Sequence, residues 1–380
     1  MGAPAQIDTA EVIAPHTEAE LARVLREHHA AARPVRISGG GTRVPLAGGA
    51  DLLTTRHISG IVTYSPGELT LVAKAGTPMD EIEAALKAEG QALAFEPMDH
   101  RTVLGSAGTP TIGGVVAANV SGPRLVLAGA CRDHLLGVRF VDGQGRVIRN
   151  GGRVMKNVTG MDLGKLLCGS YGTLGVLTEI ALKTLPAPPG VETLALRGLS
   201  AREAVAVFSA ALGTPFEVSG AAWLDRTAWL RIEGRGAQLD YRRERLLALL
   251  QAREPARLDA EESRDLWRGL RDLHHLSGAK GALWRIALKP TDAPAVIAAL
   301  EALGGVCAMD WGGALIWYVG SGDPLAVRRA AGLGSATLLR APDDAAPSFP
   351  PERGGAALMS RALRRVFDPA GILNPGLMGG

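Results

Sequence analysis

A short strand that runs straight into three glycines constrains this chain more than any other feature. Val35, Arg36 and Ile37 have strand character, and Ser38-Gly39-Gly40-Gly41-Thr42 follows at once. Glycine at a strand end costs backbone entropy and packs nothing, so a run of them implies that something approaches the main chain closely. Two further stretches share the signature, at 105–122 and 169–175, each abutting a strand or a helix start. One such stretch reads as a flexible connection. Three in the first half of one chain point to a shared ligand.

Known glycine motifs narrow that ligand. A Rossmann site needs G-x-G-x-x-G opening a helix whose N-terminus meets a pyrophosphate. Here Thr42, Arg43 and Pro45 follow the glycines and no amphipathic helix comes after them, so that reading fails. The P-loop string G-x-x-x-x-G-K-[ST] does not occur. Consecutive N–H groups in a tight glycine turn still form an anion-binding nest, and a diphosphate held by main-chain amides fits best.

Bulk properties exclude several classes. With 380 residues, 47% hydrophobic and 21% charged, the chain has ordinary globular composition and a prior of two domains. A net charge of +3 without a basic block gives no case for nucleic acid. Cys131, Cys168 and Cys307 are far apart and form no C-x-x-C, which encodes neither a structural zinc nor an iron–sulfur cluster and suits a reducing compartment. The opening MGAPAQIDTAEV has neither a basic n-region nor an apolar stretch, and no later segment reads as a membrane span. The expected location is cytoplasmic.

Periodicity and punctuation predict the elements. Leu21, Val24 and Leu25 mark a helix over 17–32 that Thr17 and Glu20 cap. A strand over 69–73 and a helix from Pro78 to Gly90 follow, then a hairpin over 136–148 with Asp142-Gly143 at its turn. Residues 162–168 predict a helix and 176–185 a strand. LPAPPG, 185–190, reads as a linker, and all six tryptophans lie beyond it. Helices over 200–212 and 239–253, with strands over 218–233, 281–289 and 314–319, predict an α+β unit with an antiparallel sheet. A stretch rich in Pro, Asp and Ala, 341–355, leads into a final helix.

Five strings in order bring a family into view: SGGGT, TIGGVVAANVSG, KNVTGMDL, GSYGTLGVLTEI and the closing FDPAGILNPG. They resemble FAD-binding proteins of the vanillyl-alcohol oxidase type, which carry a PCMH-type FAD-binding domain. Residues 121–139 and GGRVMKNVTG, 151–160, are similar to the FAD-binding subunits of bacterial glycolate oxidase complexes in particular. The resemblance implies an α+β fold: a two-subdomain PCMH-type FAD-binding domain over 1–188, a smaller α+β cap domain with an antiparallel sheet over 189–355, and a segment, 356–380, returning to the FAD domain. It also implies FAD, expected to be noncovalent because no histidine of this chain sits in an attachment string. Ser38, Gly39, Gly40, Gly41, Thr42 and Arg43 would wrap the pyrophosphate, and Thr111, Gly113 and Gly114 would face the phosphates and ribityl chain. Asn119 and Gly122 would line the cofactor channel. Gly172, Gly175 and Val176 would meet the adenine or the flavin edge, and Asn374 would return to the flavin domain.

The chain departs from relatives that oxidise 2-hydroxy acids. Tyr171 stands where they often carry the glutamate of GSEGTLG, Met161 where they often carry the tyrosine of GYD, and their H-x-H-x-G-D-G-N metal motif is absent. No metal site is expected: His274 and His275 are adjacent, about 100° apart on a helix, and make a poor chelating pair. Hydroxy-acid oxidation needs a base for the hydroxyl proton and a cation for the carboxylate. His100, His134 and His274 are conceivable bases; Arg226, Arg231, Arg285 and Lys289 are conceivable cations, although a solvated strand face explains them equally. His57 and His100 are the candidates for covalent flavin attachment, and neither sits in an attachment string. Cys131 and Cys168 read as small buried residues. YRRERLLALL, 241–250, reads as a solvated face.

Three functions stay open at this point. The resemblance implies a FAD-binding subunit of a glycolate oxidase complex, beside a larger homologous flavoprotein subunit that does most of the oxidation and an iron–sulfur subunit. The alternatives are a self-sufficient oxidoreductase acting on a small hydroxy acid or alcohol, and a structural homologue that binds FAD weakly.

Overall fold

The computed structural model describes residues 11–43, 50–152, 160–251, 255–341, 347–352 and 354–378. Residues 153–159 of the GGRVMKNVTG string, and Pro45 beyond the first glycine loop, lie outside them.

Among the described residues the first half is built on two main sheets, with a short antiparallel pairing of Gln91–Ala92 and Leu185–Pro186 beside them. Helix Glu18–Ala30 begins where the Thr17 hydroxyl accepts from the Glu20 amide, and it buries Leu21 and Leu25. They pack against a three-stranded parallel sheet, ordered Val12–Ile13, Asp51–Thr54, Val35–Ser38. Ile372 and Leu373, from the chain's far end, join that core, and Leu373 bridges to Val35. The second sheet is antiparallel: Ile61–Ser65, Thr70–Lys74, Val176–Lys183, Leu135–Val141, Val147–Gly151. The expected hairpin forms with a wider turn than Asp142-Gly143 alone. The Asp142 carboxylate accepts from the Gln144 and Arg146 amides, so it organises the whole loop.

Beyond residue 190 the chain makes its largest sheet, eight antiparallel strands in which sequence neighbours are often not spatial neighbours. Period-two alternation divides its residues between two cores. Trp284, Ile286, Ile316 and Tyr318 face a layer that includes helices Ala201–Leu212 and Ala293–Ala302. Leu283, Leu315, Trp317 and Val319 face the first half and share its core with Phe95 and Val115. The sheet is thereby a wall of the flavin-side core, and any site in the seam takes side chains from both halves.

A buried ionic clamp crosses that seam. The Arg231 guanidinium forks onto Glu96 at 3.0 and 2.8 Å, bonds Ser219 Oγ through Nε, and lies over the Trp267 ring. Asp310 lies near both Arg231 and Glu96. Its burial, aided by the Glu96 charge and opposed by Arg231 and the Trp311 amide, pushes its carboxyl up to about 7.

That shift has a definite sign. Between the ordinary carboxylate range and about pH 7 the folded chain holds a proton on Asp310 that the unfolded chain has lost, so stability falls as pH rises through that window. Asp310→Asn keeps the acceptor for the Trp311 amide and removes the titration. Thermal melts between pH 5 and 8 are expected to show the wild type losing ground to the variant as pH rises, by roughly 2–4 °C for each kcal/mol. Parallel curves would show that Asp310 ionises normally.

Candidate functional site

A cleft with about 750 Å³ of empty space opens where the three glycine stretches converge. The end of strand Val35–Ser38 delivers Ser38, Gly39, Gly40, Gly41, Thr42 and Arg43 to its wall. Helix Ile112–Ala117 delivers Gly113 and Gly114, and the turn before Val176–Lys183 delivers Tyr171, Gly172, Gly175 and Val176.

The reason for the glycines is more specific than room for a ligand. A Cβ on Gly40 would overlap the Thr109 carbonyl, and one on Gly108 would overlap the Gly40 carbonyl. A Cβ on Gly39 would meet Thr111 Oγ1 at 2.5 Å, one on Gly113 the Ala75 carbonyl oxygen at 2.7 Å, and one on Gly175 the Phe140 ring at 2.6 Å. These residues are bare because other parts of the protein press on them from behind. Gly41 differs: its φ is +71° and nothing but Ser38 Oγ comes within 4 Å of a Cβ there, so its constraint is conformational. The expected loops meet as expected, but the contact that excludes side chains from most of them is loop against loop.

The other sequence candidates stand outside the lining of this cleft. Thr111 caps helix Ile112–Ala117, accepting from the Gly114 amide, and backs Gly39. Asn119, at φ +48°, accepts from the Arg132 amide and lines a second chamber. Gly122 lines neither space: its backbone presses on Glu96, and its carbonyl accepts from the Trp311 indole. Asn374 is a clip. Its Oδ1 accepts from the Ile37 amide at 2.7 Å and its Nδ2 donates to the Tyr171 carbonyl at 2.7 Å, tying the first glycine strand to the third glycine loop.

The second chamber, with about 1090 Å³ of empty space, shares Arg43, Ala118 and Tyr171 with the first and reaches the eight-stranded sheet at Arg285, Trp317 and Thr337. Its charges are unusual. Burial brings Arg43 down to about 10, leaving it a cation at neutral pH, and among the described residues its Nε has no hydrogen-bond partner. Arg285 is likewise lowered by burial, which only the nearby Tyr171 opposes. Tyr171 is raised by burial, so it stays a neutral phenol between two guanidinium groups. His100 is driven down to about 3 by burial and by Arg43, which keeps its imidazole neutral.

The remaining candidates take other roles. Arg231 is committed to Glu96, Arg226 bonds the Gly198 carbonyl at the surface, and Lys289 is exposed. His134 bonds the Ala128 carbonyl oxygen, and His57 stacks on His16. Cys131 and Cys168 are buried, and the Cys168 thiol donates to Asn119 Oδ1. Among the described residues no three His, Cys, Asp or Glu side chains converge to hold a metal. Sequence reasoning passed over Thr55 and Ala75, small residues outside every motif, and singled out neither Ala117 nor Ser170, although both lie within the quoted strings.

Loop-against-loop packing separates two substitutions. Gly40→Ala forces backbone apart and is expected to cost about 1–3 kcal/mol or more, whereas Gly41→Ala meets only the left-handed penalty of about 1–2 kcal/mol. Urea unfolding without added ligand tests this. Equal stability of wild type and Gly40→Ala would refute the packing account.

A family profile described as an FAD binding domain matches residues 9–151. The chain is 37% identical over 352 residues to the glycolate oxidase subunit GlcE of Escherichia coli (strain K12), covering 91% of this chain and 92% of that one. It is 34% identical to the glycolate oxidase subunit GlcD of Bacillus subtilis (strain 168), over 48% of this chain and 38% of the other. With the D-lactate dehydrogenase of Archaeoglobus fulgidus it shares 30% identity over 51% of this chain and 43% of the enzyme. A solved structure of alkyldihydroxyacetonephosphate synthase superposes with a TM-score of 0.67 at 16% identity, over 97% of this chain and 77% of that one, which shows a common fold. On the near full-length match, this chain belongs to the family of the glycolate oxidase subunit GlcE, FAD-binding oxidoreductases of the PCMH-type fold.

Proposed function

We propose that this chain is the FAD-binding subunit of a complex that oxidises glycolate to glyoxylate, with electrons leaving through an iron–sulfur subunit and a larger homologous flavoprotein subunit alongside. One observation carries the reading: at the wall of a cleft made of bare backbone, the buried Nε of Arg43 has no hydrogen-bond partner among the described residues. A cation with no contact ion pair among the described residues, beside side-chain-free backbone, suits a diphosphate, so the residues fit FAD. Ser38 to Arg43 would hold the diphosphate, Gly113 and Gly114 the adjoining chain, and Gly172, Gly175 and Val176 the opposite wall. Bound FAD supplies the two-electron acceptor. The chain's own part is to hold the cofactor and orient the acid; His100 lines the neighbouring chamber, where burial and the Arg43 charge hold its imidazole neutral and oppose its protonation, so it serves as a hydrogen-bonding group and not as the base.

That relatives of this chain are glycolate oxidase subunits supports a multi-subunit assembly. Among the described residues no helix is long and apolar enough to cross a membrane. The chamber beside the cleft favours a second reading, in which this chain oxidises the hydroxy acid without the larger subunit.

The purified chain is expected to be yellow, and Arg43→Met to retain flavin about tenfold more weakly or worse. Anaerobic glycolate or D-lactate added to the chain alone separates the readings: bleaching of the flavin bands favours independent turnover, and none favours dependence on partners. A folded wild-type chain that is colourless and refuses FAD would overturn both.

A further inference from the structure

We propose that the second chamber is a receptor for a small carboxylate, that Arg285 is its cation, and that Trp311 is the residue that positions Arg285. The proposal rests on the reading above for the identity of the acid, and on the chamber's own geometry for the rest.

Arg285 sits mid-strand in Ala282–Ala287, directly opposite Trp317 on one neighbouring strand and Thr337 on the other. Residues opposite one another share a face of a sheet, and all three line the chamber. Among the described residues no carboxylate reaches Arg285. The contrast with Arg231 on the same sheet is direct, since that guanidinium is fully neutralised by Glu96. Arg43 serves the cofactor cleft and also lines this chamber. Tyr171, between the two arginines, brings a phenol in place of a charge. The chamber therefore carries a buried positive charge that an anionic ligand would complete. Ser121 and Ser348 add hydroxyls to the lining, which suits an acid bearing its own hydroxyl.

Trp311 supplies what Arg285 has instead of a counter-ion. The guanidinium carbon lies 5.1 Å from the centroid of its ring, a cation–π contact that steadies the cation and leaves its N–H groups free for a ligand. The indole is itself fixed: Nε1 donates to the Gly122 carbonyl at 2.9 Å, and the backbone amide to Asp310 Oδ1 at 2.7 Å. Its φ of +54° is rare for a bulky residue, and Gly312 and Gly313 continue the positive-φ turn at +65° and +99°. Such a strained conformation persists only where its surroundings over-determine it. Gly122 thus acts on the chamber at one remove, by bringing its carbonyl to the indole.

Calorimetric titration of the chain with glycolate, using glycolamide as the uncharged control, tests the proposal on both FAD-loaded and FAD-free protein. The wild type is expected to bind glycolate and not glycolamide, and Arg285→Gln to lose binding by tenfold or more. Trp311→Leu is expected to weaken binding about tenfold, and Trp311→Phe, which keeps a ring under the cation, to recover most of it. Flavin content per chain is expected to stay at the wild-type level in all three. Tyr171→Glu sets a carboxylate between the arginines and is expected to abolish glycolate binding with Arg285 and Trp311 intact, which keeps the test open should a Trp311 variant fail to fold. The proposal falls if Arg285→Gln binds glycolate like the wild type, if glycolamide binds as well as glycolate, or if the Leu and Phe variants behave alike. Because binding is also read without FAD, a chain that takes glycolate but no flavin would sink the proposed function and spare the chamber.

Discussion

The site depends on one contact between main chains, the seating of the Gly40 loop on the backbone of Gly108 and Thr109, where the Thr109 carbonyl and amide fill the space a side chain would need. Protein interiors are close-packed, so two loops can approach to backbone distance only where both lack bulk. Once they do, the third loop is brought in by Asn374, which bonds Ile37 on one side and Tyr171 on the other. The result is a wall of side-chain-free backbone held from behind, in which the Gly113 and Gly114 amides already bond the Ala75 carbonyl and Thr111 Oγ1. Rigidity matters because anion binding by dipoles is strong when the dipoles need no reorganisation.

Charge divides the arginines of the seam by role. Removing a guanidinium from water costs several kcal/mol even after relaxation. Arg231 meets that cost with Glu96 and joins the two halves of the chain. Arg43 and Arg285 make no ion pair within the described residues, Arg43 having only the more distant Asp99 charge, and each lines an open space. Compensated arginines are structural here, and uncompensated ones face ligand-sized cavities. Tyr171 is central to that division, since an acid at its position would have neutralised both.

Much of this was legible in the sequence. Glycines after a strand, small residues around 113 and 172, and an Asn-Pro-Gly near the end all carry local signals, and the residues concerned do converge. Their physical reasons were less legible. Gly40 looked like a ligand contact because a sequence cannot show which backbone presses on a glycine. Gly122 looked like a channel residue, yet it supports an indole, while Asn374, expected to return to the flavin domain, clips two of its loops together. Arg285 was indistinguishable from Arg231 until Glu96, more than a hundred residues away in the chain, was seen to reach only one of them. The eight-stranded sheet was only half visible. Gly305–Asp310 lacks the polar alternation of a half-exposed strand, because it is a central strand between Val218–Leu224 and Leu315–Gly320.

Amide hydrogen exchange, followed with and without FAD, tests the backbone cradle most directly. The account requires slowed exchange on FAD addition at residues 38–43, 113–114 and 172–176 together, with strands of the distal sheet unchanged. Protection confined to one of the three loops, or none at all with flavin demonstrably bound, would contradict it.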